Sequence, residues 1–170
     1  MIHNKAKIAI ESMRPEHWGE VRRIHLEGIE TGKATFETDA ALSWDDWSGQ
    51  HLKFGRLVAV RGGVVGWAAL TPVSDRCVYG GVAEVSIYIA AEARGQGVGS
   101  LLMRALIDEA ERHGIWTLQA GIFADNRPSA ALHEKCGFRI VGRRERLGKL
   151  QGVWKDVLLL ERRSERVGID

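Results

Sequence analysis

Apolar residues recur along the chain with two different periods, and the changes of period mark the elements. Lys7 to Glu11 alternates weakly and predicts a short first strand. Pro15 stands where the first turn of a helix tolerates it, and Trp18, Val21, Ile24 and Ile29 follow at roughly helical spacing. That helix is expected to end between Gly28 and Gly32, and Gly32 to Thr38 reads as loop. Ser43-x-x-Asp46 has capping-box form and opens a second helix carrying Trp44, Trp47 and Leu52.

Arg56 to Arg61 predicts a strand, Gly62-Gly63 a hairpin turn, and Val64 to Leu70 its partner, which Pro72 ends or marks as an edge. After a connection over Ser74 to Gly81, Val82 to Ile89 is the next strand. Val98, Leu101, Leu102, Ala105, Leu106 and Ala110 form the clearest helical stripe, closed by Gly114. Trp116 to Phe123 reads as a buried strand. Asn126-Arg127-Pro128-Ser129 starts a short helix that Gly137 ends. Phe138 to Val141 and Val153 to Leu160 predict a closing antiparallel pair, and the charged tail Glu161 to Asp170 is expected to fray. The order is that of a mixed α/β (α+β) domain spanning 1–170, with no internal repeat or linker.

Composition narrows the function classes. A chain of 170 residues suits one domain with a sizeable core. The net charge of +2, with basic residues spread along the chain, argues against a nucleic-acid partner. Cys77 and Cys136 have no CxxC or metal-ligand spacing, so no metal is expected and both read as free thiols in a reducing compartment. Met1 to Lys5 has no apolar leader region, and no apolar run reaches membrane-spanning length. A soluble cytoplasmic protein with no membrane partner is expected.

The chemistry centres on Arg94-Gly95-Gln96-Gly97-Val98-Gly99-Ser100, between a strand and a helix. A helix N-terminus leaves backbone N–H groups unpaired and carries positive partial charge. Glycines let a phosphate approach that backbone, and Arg94 adds a fork suited to phosphate. The stretch reads as a pyrophosphate cradle or as an ordinary tight turn. It lies mid-chain with no acidic residue at ribose distance, unlike a dinucleotide fingerprint, and it lacks the Gly-Lys-Ser/Thr of a P-loop.

Arg94 to Gly99 has the R/Q-x-x-G-x-G/A form of the GCN5-related N-acetyltransferases. Asn126 to Phe138, an Asn, a short helix and Gly-Phe, resembles that family's second signature. The resemblance covers residues 7 to 161. It is strongest to the phosphinothricin and methionine-sulfoximine N-acetyltransferase group, through Ile29-Glu30-Thr31 with Phe36, Ala83-Glu84, and Lys149 to Asp156 with Trp154.

The resemblance implies a mixed, mostly antiparallel, V-shaped sheet with acetyl-CoA held between two splayed parallel strands, and direct acetyl transfer to an amine. It implies that the strand Val85 to Ile89, with Ile87, Tyr88 and Ile89, pairs with the pantetheine arm. Arg94, Gly95, Gln96, Gly97, Val98, Gly99 and Ser100 would hold the pyrophosphate, and Asn126 and Ser129 would reach the CoA arm from the other side. Glu84 stands where the group has its acid and is the candidate general base, directly or through a water. His133 stands where many members carry a tyrosine that protonates the leaving thiolate, and a histidine can fill that role. Tyr88 is the other candidate donor.

For an amino-acid substrate, Arg76 and Lys149 are candidates for the carboxylate, Glu30 for the ammonium, and Phe36 and Trp154 for pocket walls. The resemblance also implies a homodimer. The competing readings are a member acting on a protein N-terminus, polyamine or aminoglycoside, and a non-catalytic CoA-binding module. Retention of Glu84 and of a thiol donor weighs against the last.

Overall fold

The computed structural model describes residues 7–170, so the Met1 to Lys5 segment read above lies outside the described residues. Seven strands form one sheet in the order β1-β2-β3-β4-β5-β7-β6. They are β1 (Ala9–Ser12), β2 (Leu57–Val60), β3 (Val64–Pro72), β4 (Val82–Ile89), β5 (Thr117–Phe123), β6 (Arg139–Leu150) and β7 (Val153–Arg163). Four α-helices flank them: α1 (Trp18–Glu30), α2 (Trp44–Gln50), α3 (Val98–Arg112) and α4 (Arg127–Lys135). Neighbouring strands are antiparallel throughout except β4 and β5, which run parallel. This is the mixed, mostly antiparallel sheet that the family resemblance implies.

β3 is buried from Val64 to Leu70 because helices cover both of its faces. Trp67 meets His25 of α1 and Trp47 of α2, with ring centroids 5.6 and 5.5 Å away. Gly66 points the other way and lies against Leu102 of α3. The α2 cap forms as its sequence predicts: the Ser43 hydroxyl accepts from the Asp46 N–H at 3.1 Å. α2 ends at Gln50, before Leu52, whose N–H instead donates to the Leu70 carbonyl at 2.8 Å.

Two segments depart from expectation. β6 continues past Val141 to Leu150 and turns into β7 through Gln151 and Gly152, both at positive φ, a two-residue hairpin turn. Nearly every residue of β6 is exposed or half-buried, so its sequence carries no apolar alternation. The tail does not fray at Glu161. β7 runs to Arg163, and Ser164 is buried with its hydroxyl donating to Glu111 Oε1 at 2.8 Å. Arg162 Nη1 donates to the same oxygen at 3.0 Å. Glu111 is buried on α3, and a buried carboxylate needs such partners.

The feature that positions the site is the short pairing of β4 with β5. It covers Val82↔Thr117, Ala83↔Leu118 and Glu84↔Gln119 only. Beyond Glu84, β4 keeps β3 on one side and loses its neighbour on the other, while β5 stays with β7. The two strands splay apart, and the unpaired edge of β4 faces the gap.

Candidate active site

Two connected cavities fill the splay. One, of about 350 Å³, is lined by Glu84, Gln119, Phe123, Phe36, His133 and Arg144 among others. The second, of about 600 Å³, runs along Ile89 to Arg94, Gly95, Gly97, Gly99 and Ser100, with Lys33 and Lys135 at its sides. Ala34, Ile87, Tyr88, Asn126 and Ser129 line both and form the junction between them.

The second cavity is built on the glycine turn. Gly95 and Gly97 adopt φ of 70° and 84°, in the left-handed region that favours glycine. Gly97 is the N-cap of α3 and no side chain caps the helix, so its first N–H groups are free for a ligand. Above both glycines a Cβ would meet nothing within 4 Å, so the turn is open on that side. Val98 is buried beneath it, and Gly99 lets α3 approach Leu132 of α4. Arg94 Nε donates to the Ile89 carbonyl at 3.2 Å, which fixes the guanidinium at the rim. The Gln96 side chain points elsewhere: it accepts from Arg61 Nη1 and donates to the Glu92 carbonyl, each at 2.8 Å, and braces the loop.

The junction is tightly held. Asn126 caps α4 by accepting from the Ser129 N–H at 3.3 Å, and its amide donates to the Lys33 carbonyl at 3.0 Å. This ties α4 to the loop after α1. Tyr88 lies under that loop, stacked on Trp67 at 4.9 Å and against His25 at 4.8 Å. Gly28 of α1 touches its ring, and a Cβ there would sit 2.5 Å from it. Burial, with the Glu37 charge adding, pushes the Tyr88 phenol well above its ordinary value, so it keeps its proton.

In the first cavity, Glu84 stands at the last position where β4 pairs with β5, and its Oε2 accepts from Gln119 Nε2 at 2.9 Å. His133 is only 2 % exposed. Its Nδ1 lies 2.7 Å from the Ser129 carbonyl, which can only accept, so Nδ1 carries the proton. Nε2 is then the nitrogen left for a ligand. Burial pushes the His133 pKa below its ordinary value, against the opposing effect of the Ser129 carbonyl, so the neutral ring is favoured.

Of the sequence candidates, Glu84, Phe36, Ile87, Tyr88, Asn126, Ser129 and His133 therefore meet at the first cavity or its junction, and Ile89, Arg94, Gly95, Gly97, Val98, Gly99 and Ser100 line the second, while Gln96, expected at the pyrophosphate, lines neither because its amide is spent on Arg61 and the Glu92 carbonyl. Glu30, Arg76, Lys149 and Trp154 line neither. Glu30 ends α1 on the surface. The Arg76 guanidinium lies over the Tyr79 ring at 5.5 Å. Lys149 Nζ lies over the Trp154 ring at 4.7 Å, on the exposed tip of the β6–β7 hairpin. Sequence reasoning missed Arg144, Leu147 and Gln119. Gln119 could have been found as the strand partner of Glu84. Arg144 sits in a charged run that reads as solvated surface.

The acetyltransferase (GNAT) family profile matches residues 13–138. The chain belongs to this family. An L-methionine sulfoximine/L-methionine sulfone acetyltransferase of Salmonella typhimurium is 32% identical over 128 residues, covering 75% of this chain and 74% of the relative. A phosphinothricin N-acetyltransferase of Alcaligenes faecalis is 31% identical over 160 residues, 90% of this chain and 81% of that one. Among solved structures, a GNAT superfamily phosphinothricin acetyltransferase from Sinorhizobium meliloti in complex with AcCoA superposes with a TM-score of 0.82 at 26% identity, covering 96% of each chain. The overall fold of this GNAT domain is thus shared with that structure. No helix among its described residues is long and apolar enough to cross a membrane, and no cluster of three His, Cys, Asp or Glu is placed to hold a metal.

Proposed function

We propose that this GNAT domain is an acetyl-CoA-dependent N-acetyltransferase that acetylates the amino group of a small amino acid or analogue of the phosphinothricin or methionine sulfoximine type. The observation that supports it most is the junction: a carboxylate cavity at Glu84 opens into a glycine-turn groove past the free edge of β4. The groove fits acetyl-CoA. It offers unpaired helix N–H groups beneath two left-handed glycines, Arg94, Lys33 and Lys135 for phosphates, and unpaired strand backbone for an amide-bearing arm. Bound there, acetyl-CoA supplies the thioester acetyl group.

The remaining roles belong to the chain. Glu84 takes the proton that an ammonium must lose to become a nucleophile, and Gln119 holds its carboxylate in place. His133, neutral and with its Nδ1 proton committed to the Ser129 carbonyl, presents Nε2 to the junction as an acceptor and has no proton there to give a leaving thiolate, which departs from the donor role implied by the resemblance. Tyr88, which burial keeps protonated and which lines both cavities, is the candidate donor to the leaving thiolate. Asn126 and Ser129 position the cofactor arm, and Phe36 and Phe123, in contact at 4.7 Å, wall the acceptor side.

The reading extends to a homodimer in the cytoplasm. Ile140, Val141, Leu147, Val153 and Trp154 give the β6–β7 hairpin an exposed apolar surface, and β6 is an open sheet edge, both suited to a second copy. The free thiols Cys77 and Cys136 suit a reducing compartment.

A thiol-release assay with acetyl-CoA against phosphinothricin, methionine sulfoximine, methionine sulfone, common amino acids and polyamines tests the activity. Release with amino-acid-like compounds is expected, and its absence with all of them overturns the reading. Glu84→Gln is expected to lower kcat about 100-fold or more. Full turnover by that variant across pH removes Glu84 as the base.

A further inference from the structure

The lining of the acceptor cavity includes one carboxylate side chain and one guanidinium, Glu84 and Arg144. The strand registers place them on one face of the sheet. Glu84 pairs with Gln119 of β5, and along β5 the same face carries Phe123. Phe123 pairs with Val157 of β7, and Val157 with Arg144 of β6. The carboxylate and the guanidinium therefore stand on outer strands of the cavity floor, with β5 and β7 between them.

The two neighbouring arginines have different fates. Arg143 faces the opposite side and is committed: its Nε and Nη2 donate to Asp156 Oδ2 at 2.9 and 2.6 Å. Asp156 Oδ1 accepts the Arg146 backbone N–H at 2.8 Å. Between Arg144↔Val157 and Gly148↔Lys155 the pairing shifts, so Glu145, Arg146 and Leu147 face a single residue, Asp156. Asp156 pins this bulge, with Arg146 at φ 45°, and Phe36 packs on Gly148 at its far end. Arg144, on the cavity face, has no hydrogen-bond or ion-pair partner among the described residues. An exposed arginine whose neighbouring backbone is pinned at a cavity wall, and whose guanidinium is left without a carboxylate of its own, is free to receive one.

We infer that Arg144 is the specificity-determining cation of this enzyme: the site takes an amine that also bears a carboxylate, with the ammonium at Glu84 and the anion at Arg144. The inference rests on the proposed acetyltransferase activity and adds to it which residue reads the acid. Arg144 contacts the non-reacting end of the substrate, so its contribution is to binding that is uniform between ground and transition states.

The test uses matched acceptors, methionine sulfone and its carboxamide, which share the amine and differ in charge. kcat/KM is measured for both with the full chain and with Arg144→Gln and Arg144→Lys. The parent enzyme is expected to prefer the acid. Arg144→Gln is expected to lower the acid-to-amide ratio about 10- to 100-fold, the size of a charge-assisted hydrogen bond, through KM of the acid. Arg144→Lys is expected to recover part of it. Because Arg144 makes no internal bond among the described residues, the melting temperature serves as the folding control. An unchanged ratio in Arg144→Gln, or a parent enzyme indifferent to the carboxylate, overturns this inference alone. Failure of the parent enzyme to turn over either compound or any other amino acid overturns it together with the proposed activity.

Discussion

At the scale of single residues, burial decides which protons the site holds. His133 and His51 are both driven below their ordinary pKa, chiefly by burial, with carbonyl bonds to Ser129 and Trp47 opposing. A group depressed in the folded state gives stability that is fully present above its unfolded pKa, about 6.5. That stability is lost as pH falls from there through the folded pKa, because the unfolded chain then binds the extra proton. Glu37 extends the loss at lower pH: the hydrogen bond from His25, at 2.8 Å, outweighs burial and holds its carboxyl below the ordinary range. The melting temperature should therefore drop as pH falls below about 6.5, and His133→Phe should make that drop shallower. A slope identical to the parent's would show that His133 is not buried in its neutral form. The family resemblance brought Glu84, His133 and Asn126 forward, and the structure sets them around one cavity and its junction: Glu84 within β4, His133 inside a short helix, and Asn126 as the cap of that helix. Arg144 was not legible, because an arginine in an Arg-Arg-Glu-Arg run acquires its meaning only from a bulge and from Asp156, ten residues or more away.

At the scale of elements, periodicity served wherever one face is apolar. α1, α3 and β2 to β5 were readable for that reason, and the Ser43 cap placed the start of α2. β6 was not readable past Val141, since both its faces are largely wet and pairing with β7 supplies most of its contacts. The tail failed for a different reason: Glu111, whose Oε1 accepts from Arg162 and Ser164, lies more than fifty residues away in sequence. Contact between elements also explains one glycine. Gly28 lies inside α1, where alanine would favour the helix by about 1 kcal/mol. Yet a Cβ would stand 2.5 Å from the Tyr88 ring, which Trp67 and His25 hold from other sides. Overpacking of this kind costs about 1–3 kcal/mol. Gly28→Ala should thus lower stability in urea despite the better propensity, and should raise KM for acetyl-CoA by displacing Tyr88 at the junction. A more stable variant with unchanged KM would mean that α1 and β4 are not in contact there.

At the scale of the whole molecule, the sheet is interrupted at the point where its two parallel strands part. The core on either side is continuous, with α3 packed against β2, β3 and β4 and β7 bracing β5. Between them the edge of β4 from Val85 to Ile89 lacks a neighbouring strand, and the first turn of α3 lacks a cap. Both deficits leave backbone polar groups exchanging with solvent, and both face the same groove. A ligand that satisfies them binds only the folded state and stabilises it by mass action. At one hundred times its dissociation constant the gain is about 2.7 kcal/mol. For a chain of this size, that corresponds to a rise in melting temperature of about 5–10 °C. Acetyl-CoA should produce such a rise, and amide exchange should slow at two separate places, residues 85–89 and 98–101. Gly97→Val should abolish both effects at the same ligand concentration, because φ of 84° strains a β-branched residue and its side chain fills the open face of the turn. Slowing at α3 alone would show that the groove holds the phosphates while the free edge of β4 stays wet. In that case the splay is a consequence of strand twist rather than a slot for the cofactor arm.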